Sequence, residues 1–226
     1  MRLLRERCSG QNRVPTSQSG AEVKLERPIA EKGLENVSLY WDSRRNSWAA
    51  KILPGEYYYT SGDEMIVTVL GSCVSVCICD PVAHIGGMNH FMLPEAGGDT
   101  SSWDEEARYG IHAMELLING IMSLGGSRER LEVKLFGGGR IMRNMSDIGR
   151  RNIDFARRFI ATEGLMLMSS DTGGPWPRKV MYHPATGKAW VKRLKALNND
   201  TIIEREREHK NSLVSNIAKN DDIELF

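Results

Sequence analysis

The hydrophobic pattern of this chain is that of short strands, repeated several times between residues 57 and 194. Short apolar runs rich in β-branched and aromatic side chains predict strands, because such side chains fit a pleated, buried surface. The run at 131–135 alternates strictly between apolar and polar positions, which predicts a strand with one face in water. The predicted strands cover 57–59, 65–70, 74–79, 86–93, 131–135, 165–168, 180–183 and 188–194.

Two longer segments have helical periodicity instead. The clearest covers 104–124, and Gly125-Gly126 ends it. A second helix follows Asp147 and ends at Gly164. Many strands with two helices predict an α+β fold, a layered sandwich of mostly antiparallel strands with two main helices. The apolar stripes that carry the two helix predictions are Ile111, Met114, Leu117, Ile118 and Ile121 in the first, and Ile148, Phe155, Ala156, Phe159 and Ile160 in the second.

The two ends of the chain are polar and lack sustained periodicity. Residues 1–46 are predicted to be a flexible extension, and 196–226 a charged, flexible tail with a short helix over 202–213. No chemistry is assigned to the tail. The folded domain is therefore predicted to cover 47–195 of the 226 residues.

Composition narrows the classes of function. The 30 basic and 29 acidic side chains give a net charge of +1, so nothing favours nucleic acid or an anionic membrane as partner. No apolar run is long enough to insert into a bilayer. The segment 1–7 is too charged for a signal peptide, so the four cysteines are expected to be free thiols in the cytoplasm.

Candidate chemistry lies on the predicted hairpin that follows Gly71-Ser72-Cys73. Asp80-Pro81 is a turn signal, and His90 lies on the returning strand. A two-residue loop would put His90 opposite Cys73, and a four-residue loop would put it opposite Ser75, diagonal to Cys73. In both registers the thiol and the imidazole share one face, with Cβ atoms roughly 5–8 Å apart. An odd-length loop would separate them. A thiol beside an imidazole is the minimal apparatus for cysteine nucleophilic catalysis.

Two other interpretations of these residues stay open. A free cysteine is commonly a small buried hydrophobe, which is the favoured interpretation of Cys77 and Cys79 and an equal alternative for Cys73. A metal site is the second, although the cysteine spacing is not that of a zinc knuckle. Its ligands would come from Cys73, Cys77, Cys79, His84 and His90.

Glycine-rich segments follow two predicted strands, at 136–139 and 171–174. Neither matches a nucleotide-binding motif, so tight turns or a close backbone approach to a substrate or to the hairpin are predicted. The backbone N–H groups around Gly71, Ser72 and Cys73 are candidates for stabilising an oxyanion.

Taken in order, several motifs resemble the CheD family, the chemoreceptor glutamine deamidases of bacterial and archaeal chemotaxis. The resemblance covers about residues 50–195. It rests on the segments 54–57 (PGEY), 68–74 (TVLGSCV), 86–94 (GGMNHFMLP), 108–110 (RYG), 134–138 (KLFGG), 148–152 (IGRRN) and 171–174 (DTGG).

The resemblance implies a layered sandwich similar to that of bacterial toxins that deamidate glutamine. It implies Cys73 as nucleophile, His90 as general base and acid, and a threonine that orients them, for which Thr68 is the candidate although Val67 stands beside it. The implied activity is that of a protein-glutamine glutaminase, which converts receptor glutamine to glutamate through a thioester and releases ammonia. No metal or organic cofactor is needed.

The implied partners are chemoreceptors and a CheC-type phosphatase. The alternative from a different class is a regulatory module that binds receptors or the phosphatase with little catalysis.

Overall fold

The computed structural model describes residues 26–94, 102–141, 148–194 and 200–220. Within these ranges ten strands form two five-stranded sheets. The first sheet has the order β1 (Ser38–Asp42), β2 (Ser47–Lys51), β4 (Met65–Leu70), β9 (Arg178–His183) and β10 (Lys188–Arg193). The second has the order β3 (Tyr57–Thr60), β6 (Ile85–Asn89), β5 (Val74–Asp80), β7 (Glu132–Gly137) and β8 (Met166–Thr172).

Three helices complete the described fold: α1 (Ser102–Ser123), α2 (Ile148–Thr162) and α3 (Asp200–Asn220). None of these described helices has the length and apolar composition that a bilayer-crossing helix needs. Among the described strands only the β2–β4 and β7–β8 pairs are parallel, and the other pairs of the two sheets are antiparallel. The predicted α+β sandwich of mostly antiparallel strands is therefore confirmed.

Alternation along β5 shows how the layers are stacked. Val74, Val76 and Ile78 point into a core shared with α1 and α2. Cys77 and Cys79 point the other way, into a core shared with β4 and β9 of the first sheet. The second sheet is thus the middle layer, with helices on one face and the first sheet on the other.

The β5–β6 hairpin has the four-residue loop that the turn signal allowed. Asp80 pairs with Ile85 and Cys77 with Met88, and an isolated bridge joins Val74 to Phe91. This register places His90 diagonal to Cys73, on the same face. The predicted hairpin is therefore confirmed in its longer-loop form.

Both chain ends contain ordered elements. Strand β1 lies inside the stretch 1–46, and it pairs with β2 in an antiparallel hairpin. Helix α3 forms inside the stretch 196–226 and extends beyond the predicted short helix. The division into 1–46, 47–195 and 196–226 stays a prediction, because residues 1–25, 195–199 and 221–226 lie outside the described residues.

Candidate active site

Cys73 lies in the turn between β4 and β5, and its side chain is fully buried. His90 follows β6 and is 2% exposed. The Cys73 sulfur, a ring nitrogen of His90 and a carboxylate oxygen of Glu206 all lie within 4.8 Å of one another. The structure therefore brings the predicted thiol and imidazole together, and it adds an acid that the sequence analysis did not assign.

The hydroxyl of Thr68 fixes the protonation of the His90 ring. Thr68 Oγ1 donates its only hydrogen to the carbonyl oxygen of Ile52 at 2.8 Å. The contact of 2.8 Å between Thr68 Oγ1 and His90 Nδ1 must then be a hydrogen bond donated by Nδ1–H. Nε2 consequently carries a lone pair, which is what a general base requires, and it has no hydrogen-bond partner among the described residues.

Val67, the neighbouring candidate, lies on the opposite side of β4. It packs with Ala49, Met65 and Met181 on the outer face of the first sheet. Alternation along β4 therefore points Thr68, rather than Val67, toward His90.

The turn at 71–73 is an anion-binding site, and the carboxylate of Glu206 fills it. Gly71 N–H donates to Glu206 at 2.8 Å, Ser72 N–H at 2.9 Å and Cys73 N–H at 3.2 Å. The Ser72 hydroxyl adds a fourth hydrogen bond at 2.6 Å. Successive N–H groups that converge in this way form a nest for negative oxygen. Gly71 and Ser72, the candidate oxyanion donors, thus donate to a carboxylate in this conformation.

A buried amide and two glycines hold this turn in position. The Asn152 side chain, from α2, donates to the carbonyl oxygen of Ser72 at 3.0 Å and accepts from Leu93 N–H at 2.8 Å. Gly138 N–H donates to the Cys73 carbonyl and Gly139 N–H to that of Gly71, both at 2.7 Å. The glycine-rich segment 136–139 therefore approaches the hairpin backbone, one of the two roles predicted for it.

The glycine at 137 is required by this close approach. It adopts φ +108°, and a Cβ built there would lie 2.2 Å from the Cys73 carbonyl oxygen. Any other residue would have to push the turn away.

The surroundings keep both the Cys73 thiol and the His90 imidazole neutral. Burial, reinforced by the nearby Glu206 carboxylate and its hydrogen bond to the thiol, raises the pKa of Cys73 well above its ordinary value. Burial and the nearby His209 lower the pKa of His90 to about 3. Burial and the proximity of Cys73 raise the pKa of Tyr109 to about 12. In this arrangement the thiol is protonated and the imidazole is neutral.

The remaining predicted metal ligands are elsewhere. Cys77 and Cys79 are buried in the core between the sheets. His84 lies in the β5–β6 loop, where its Nδ1 contacts the Ala185 carbonyl oxygen at 3.0 Å. Cys73, His90 and Glu206 are also metal-ligating residue types, but four hydrogen-bond donors already use both oxygens of the Glu206 carboxylate. The donor set therefore suits an oxygen acceptor better than a cation.

Sequence reasoning missed Glu206 because it lies 133 residues from Cys73 along the chain. One signal was available in the tail. Ile202, Glu206, His209 and Leu213 are spaced four, three and four residues apart, so they share one face of a helix. Glu206 and Leu213 on that face are buried. An acid within the buried stripe of an otherwise charged helix indicates a partner for its carboxylate.

Comparisons with known proteins agree with the sequence motifs. Residues 92–193 match the model of a family described as "CheD chemotactic sensory transduction". A relative from Halorhodospira halophila, named "Probable chemoreceptor glutamine deamidase CheD", is 50% identical over 199 residues, which is 86% of this chain and 92% of the relative. A relative of the same name from Herminiimonas arsenicoxydans is 51% identical over 193 residues, 84% of this chain and 95% of the relative.

One solved structure, a Neisseria meningitidis protein of family DUF152, has a TM-score of 0.31 and 12% identity over 57% of this chain and 54% of that one. It supports no conclusion. The match to the family model begins at residue 92 and so leaves out Cys73 and His90. The match to the Halorhodospira halophila relative covers 86% of the chain, which is enough to include the segment from Cys73 to His90.

Proposed function

Because the chain belongs to the CheD family, we propose that it deamidates glutamine side chains of chemoreceptors, with Cys73 as nucleophile. The observation that carries the proposal is the hydrogen bond of 2.8 Å from His90 Nδ1 to Thr68. It leaves the other ring nitrogen free to accept a proton beside a buried thiol. A cysteine that served only to fill the core would need no such base.

In the first half of the reaction, His90 Nε2 takes the proton of the Cys73 thiol and the sulfur attacks the carboxamide carbon. The oxygen becomes negative in the tetrahedral intermediate, where the N–H groups of Gly71, Ser72 and Cys73 stabilise it. The C–N bond then breaks as His90 returns the proton to nitrogen. Ammonia leaves, and the acyl group stays on sulfur as a thioester.

In the second half, water attacks the thioester while His90 accepts one of its protons. The C–S bond breaks, the sulfur recovers the proton from His90, and the substrate leaves as glutamate. The net change is one amide and one water converted to one acid and one ammonia. The residues need no cofactor for either half.

The proposal extends to location and partners. A reducing cytoplasm suits a free-thiol nucleophile, and it is the compartment that a receptor-modifying enzyme of chemotaxis would share with its substrate. A CheC-type phosphatase remains a predicted partner.

The test follows the mass of glutamine-containing peptides from a purified receptor cytoplasmic fragment after incubation with the full chain. Four proteins are assayed in parallel: the wild type, Cys73→Ala, Glu206→Ala and the double variant. Glu206→Ala is included because the Glu206 carboxylate occupies the N–H donors that the substrate would need. Conversion of glutamine to glutamate that disappears when Cys73→Ala is present supports the proposal. Conversion that survives Cys73→Ala would show that another residue is the nucleophile.

The second candidate function is a binding module with little catalysis. The burial of Cys73 and the carboxylate in the donor site favour it, since both close the site in this conformation. Retained binding of the receptor fragment, with no conversion by either the wild type or Glu206→Ala, would establish this alternative.

A further inference from the structure

Helix α3 reaches the candidate site with a side chain that has the chemistry of the reaction product. Glutamate is what deamidation of glutamine leaves behind, and Glu206 presents its carboxylate to the N–H groups of Gly71, Ser72 and Cys73. The carbonyl oxygen of a glutamine amide at the position of Glu206 Oε1 would receive the N–H groups of Gly71 and Cys73.

We propose that α3 is a built-in occupant of the substrate site, with Glu206 bound as a tethered product, so that a receptor helix has to displace α3 before Cys73 can react. This inference rests on the proposed function. It adds an interaction surface, the face that α3 covers, and it names the kind of segment that fits there: a helix that presents a glutamine at the position of Glu206.

Gly71 and Gly55 allow a helix to lie close to the surface that α3 covers. A Cβ built on Gly71 would lie 2.7 Å and 2.8 Å from the Glu206 oxygens. A Cβ built on Gly55 would lie 2.8 Å from Cε1 of His209, one turn further along α3. At both positions a larger residue would have to displace the end of an α3 side chain, so the two glycines leave room for the helix to approach closely.

The buried face of α3 indicates which side chains a helix that replaces α3 would need. Ile202 precedes Glu206 by one turn and contributes to a cavity of about 320 Å³ beside His90. Leu213, two turns after Glu206, is buried. A competing helix is thus expected to carry apolar side chains about one turn before and two turns after its glutamine.

Closure by α3 hinders the chemistry in three ways. The carboxylate occupies the donors that an oxyanion would need, and Cys73 has no exposed surface. The negative charge of Glu206 also disfavours the thiolate, since it raises the pKa of the thiol in addition to the effect of burial. Removal of the Glu206 side chain is expected to free the N–H donors, open a path to Cys73 and remove the effect of the negative charge on the thiol.

The first test measures the rate at which iodoacetamide alkylates Cys73 in the folded full-length protein. Loss of charge-assisted hydrogen bonds of ordinary strength predicts a rate about 10- to 100-fold higher in Glu206→Ala than in the wild type. Glu208→Ala, an exposed acid on the same helix, is the matched control and should alkylate at the wild-type rate. Equal rates in Glu206→Ala and the wild type would overturn the inference.

The second test turns α3 into a substrate. In Glu206→Gln the carboxamide would lie in the donor site beside Cys73, so the protein should convert its own amide at position 206 to glutamate at a rate independent of protein concentration. Peptide mass spectrometry measures the conversion. The amide should persist in Glu206→Gln combined with Cys73→Ala, and at position 208 in the exposed control Glu208→Gln.

The two tests separate this inference from the function on which it rests. If the amide at position 206 persists in a protein that deamidates the receptor fragment, the occupancy by α3 is wrong and the proposed function stands. If alkylation accelerates in Glu206→Ala but neither the amide at position 206 nor receptor glutamine is converted, α3 does close the site and the proposed deamidase function is wrong.

Discussion

Thr68 has one hydroxyl hydrogen, and the Ile52 carbonyl receives it. This hydrogen bond determines which nitrogen of His90 is protonated. The hydroxyl oxygen has no second hydrogen to donate, so it can only accept from Nδ1–H. The motif alone left Val67 and Thr68 as alternatives. Neighbouring residues of a strand point to opposite faces, so only one of the two can reach His90. The sequence could not tell which one, because it does not show which face of β4 meets β5 and β6.

The role of this hydroxyl can be tested with two variants. Thr68→Val removes the acceptor and keeps the shape, so we expect the rate of receptor glutamine conversion to fall about tenfold, the effect of losing one hydrogen bond of ordinary strength. Thr68→Ser keeps the hydroxyl and should recover most of that rate. If Thr68→Ser is as slow as Thr68→Val, the methyl group matters rather than the hydrogen bond to His90.

At the scale of elements, the β5–β6 hairpin sets the geometry between thiol and imidazole, and Asp80 fixes its loop. The Asp80 carboxylate is fully buried and accepts from the backbone N–H groups of Val82, Ala83 and Ser127. It also accepts from Arg130 at 2.6 Å. These hydrogen bonds, above all that from Arg130, hold the pKa of Asp80 well below its ordinary value.

Asp80→Asn should therefore destabilise the protein in a pH-dependent way. We expect a loss of about 1–3 kcal/mol in the free energy of unfolding at pH 7, because the hydrogen bonds to one oxygen become neutral and those to the other are lost to an NH2 group. Since the folded pKa is depressed, the contribution of Asp80 is complete above its ordinary pKa of 3.8 and is lost as the pH falls below it. In urea titrations from pH 7 to pH 3, the difference in the free energy of unfolding between the wild type and Asp80→Asn should become smaller.

Asp154→Asn is the matched control for this change. Asp154 pairs with Arg150 on the exposed surface of α2, so its loss should cost less than about 0.5 kcal/mol at pH 7. A similar loss of stability in Asp80→Asn and Asp154→Asn would mean that the loop is held by its backbone alone.

Elements with strong local signals were predictable, and those that depend on distant contacts were not. The turn signal Asp80-Pro81 and the strand parity limited the hairpin to registers with the thiol and imidazole on one face, and the structure has one of them. The parallel pairing of β2 with β4 has no local signal, and β1 lay in a stretch judged too polar for a strand. Helix α3 was underestimated because its burial depends on Gly71 and Ser72, more than 130 residues away.

At the scale of the whole molecule, Arg178 joins the two sheets at the end where the candidate site lies. It belongs to β9 of the first sheet, and its side chain is 2% exposed. Its guanidinium donates to the carbonyl of Gly137, the last residue of β7, at 2.7 Å, and to the carbonyl of Gly173, just after β8, at 2.5 Å. It also pairs with Asp171 at 3.2 Å. Gly137 in turn abuts the Cys73 carbonyl, so Arg178 supports the backbone against which the Cys73 turn packs.

Arg178→Met should show how strongly the sheets depend on this link. Methionine fills much of the same volume but removes the guanidinium from the Gly137 and Gly173 carbonyls and from Asp171. The Gly137 carbonyl keeps the Gly173 N–H and Asp171 keeps Arg193, so we expect the free energy of unfolding in urea to fall by about 2–4 kcal/mol. Arg193→Met is the control, because Arg193 contacts the same Asp171 from an exposed position and its loss should cost less than about 1 kcal/mol. Equal losses would assign the effect to Asp171. A larger loss for Arg178→Met would mean that its hydrogen bonds to the Gly137 and Gly173 carbonyls supply most of the stabilisation. Arg178 would then also stabilise the backbone against which the Cys73 turn packs.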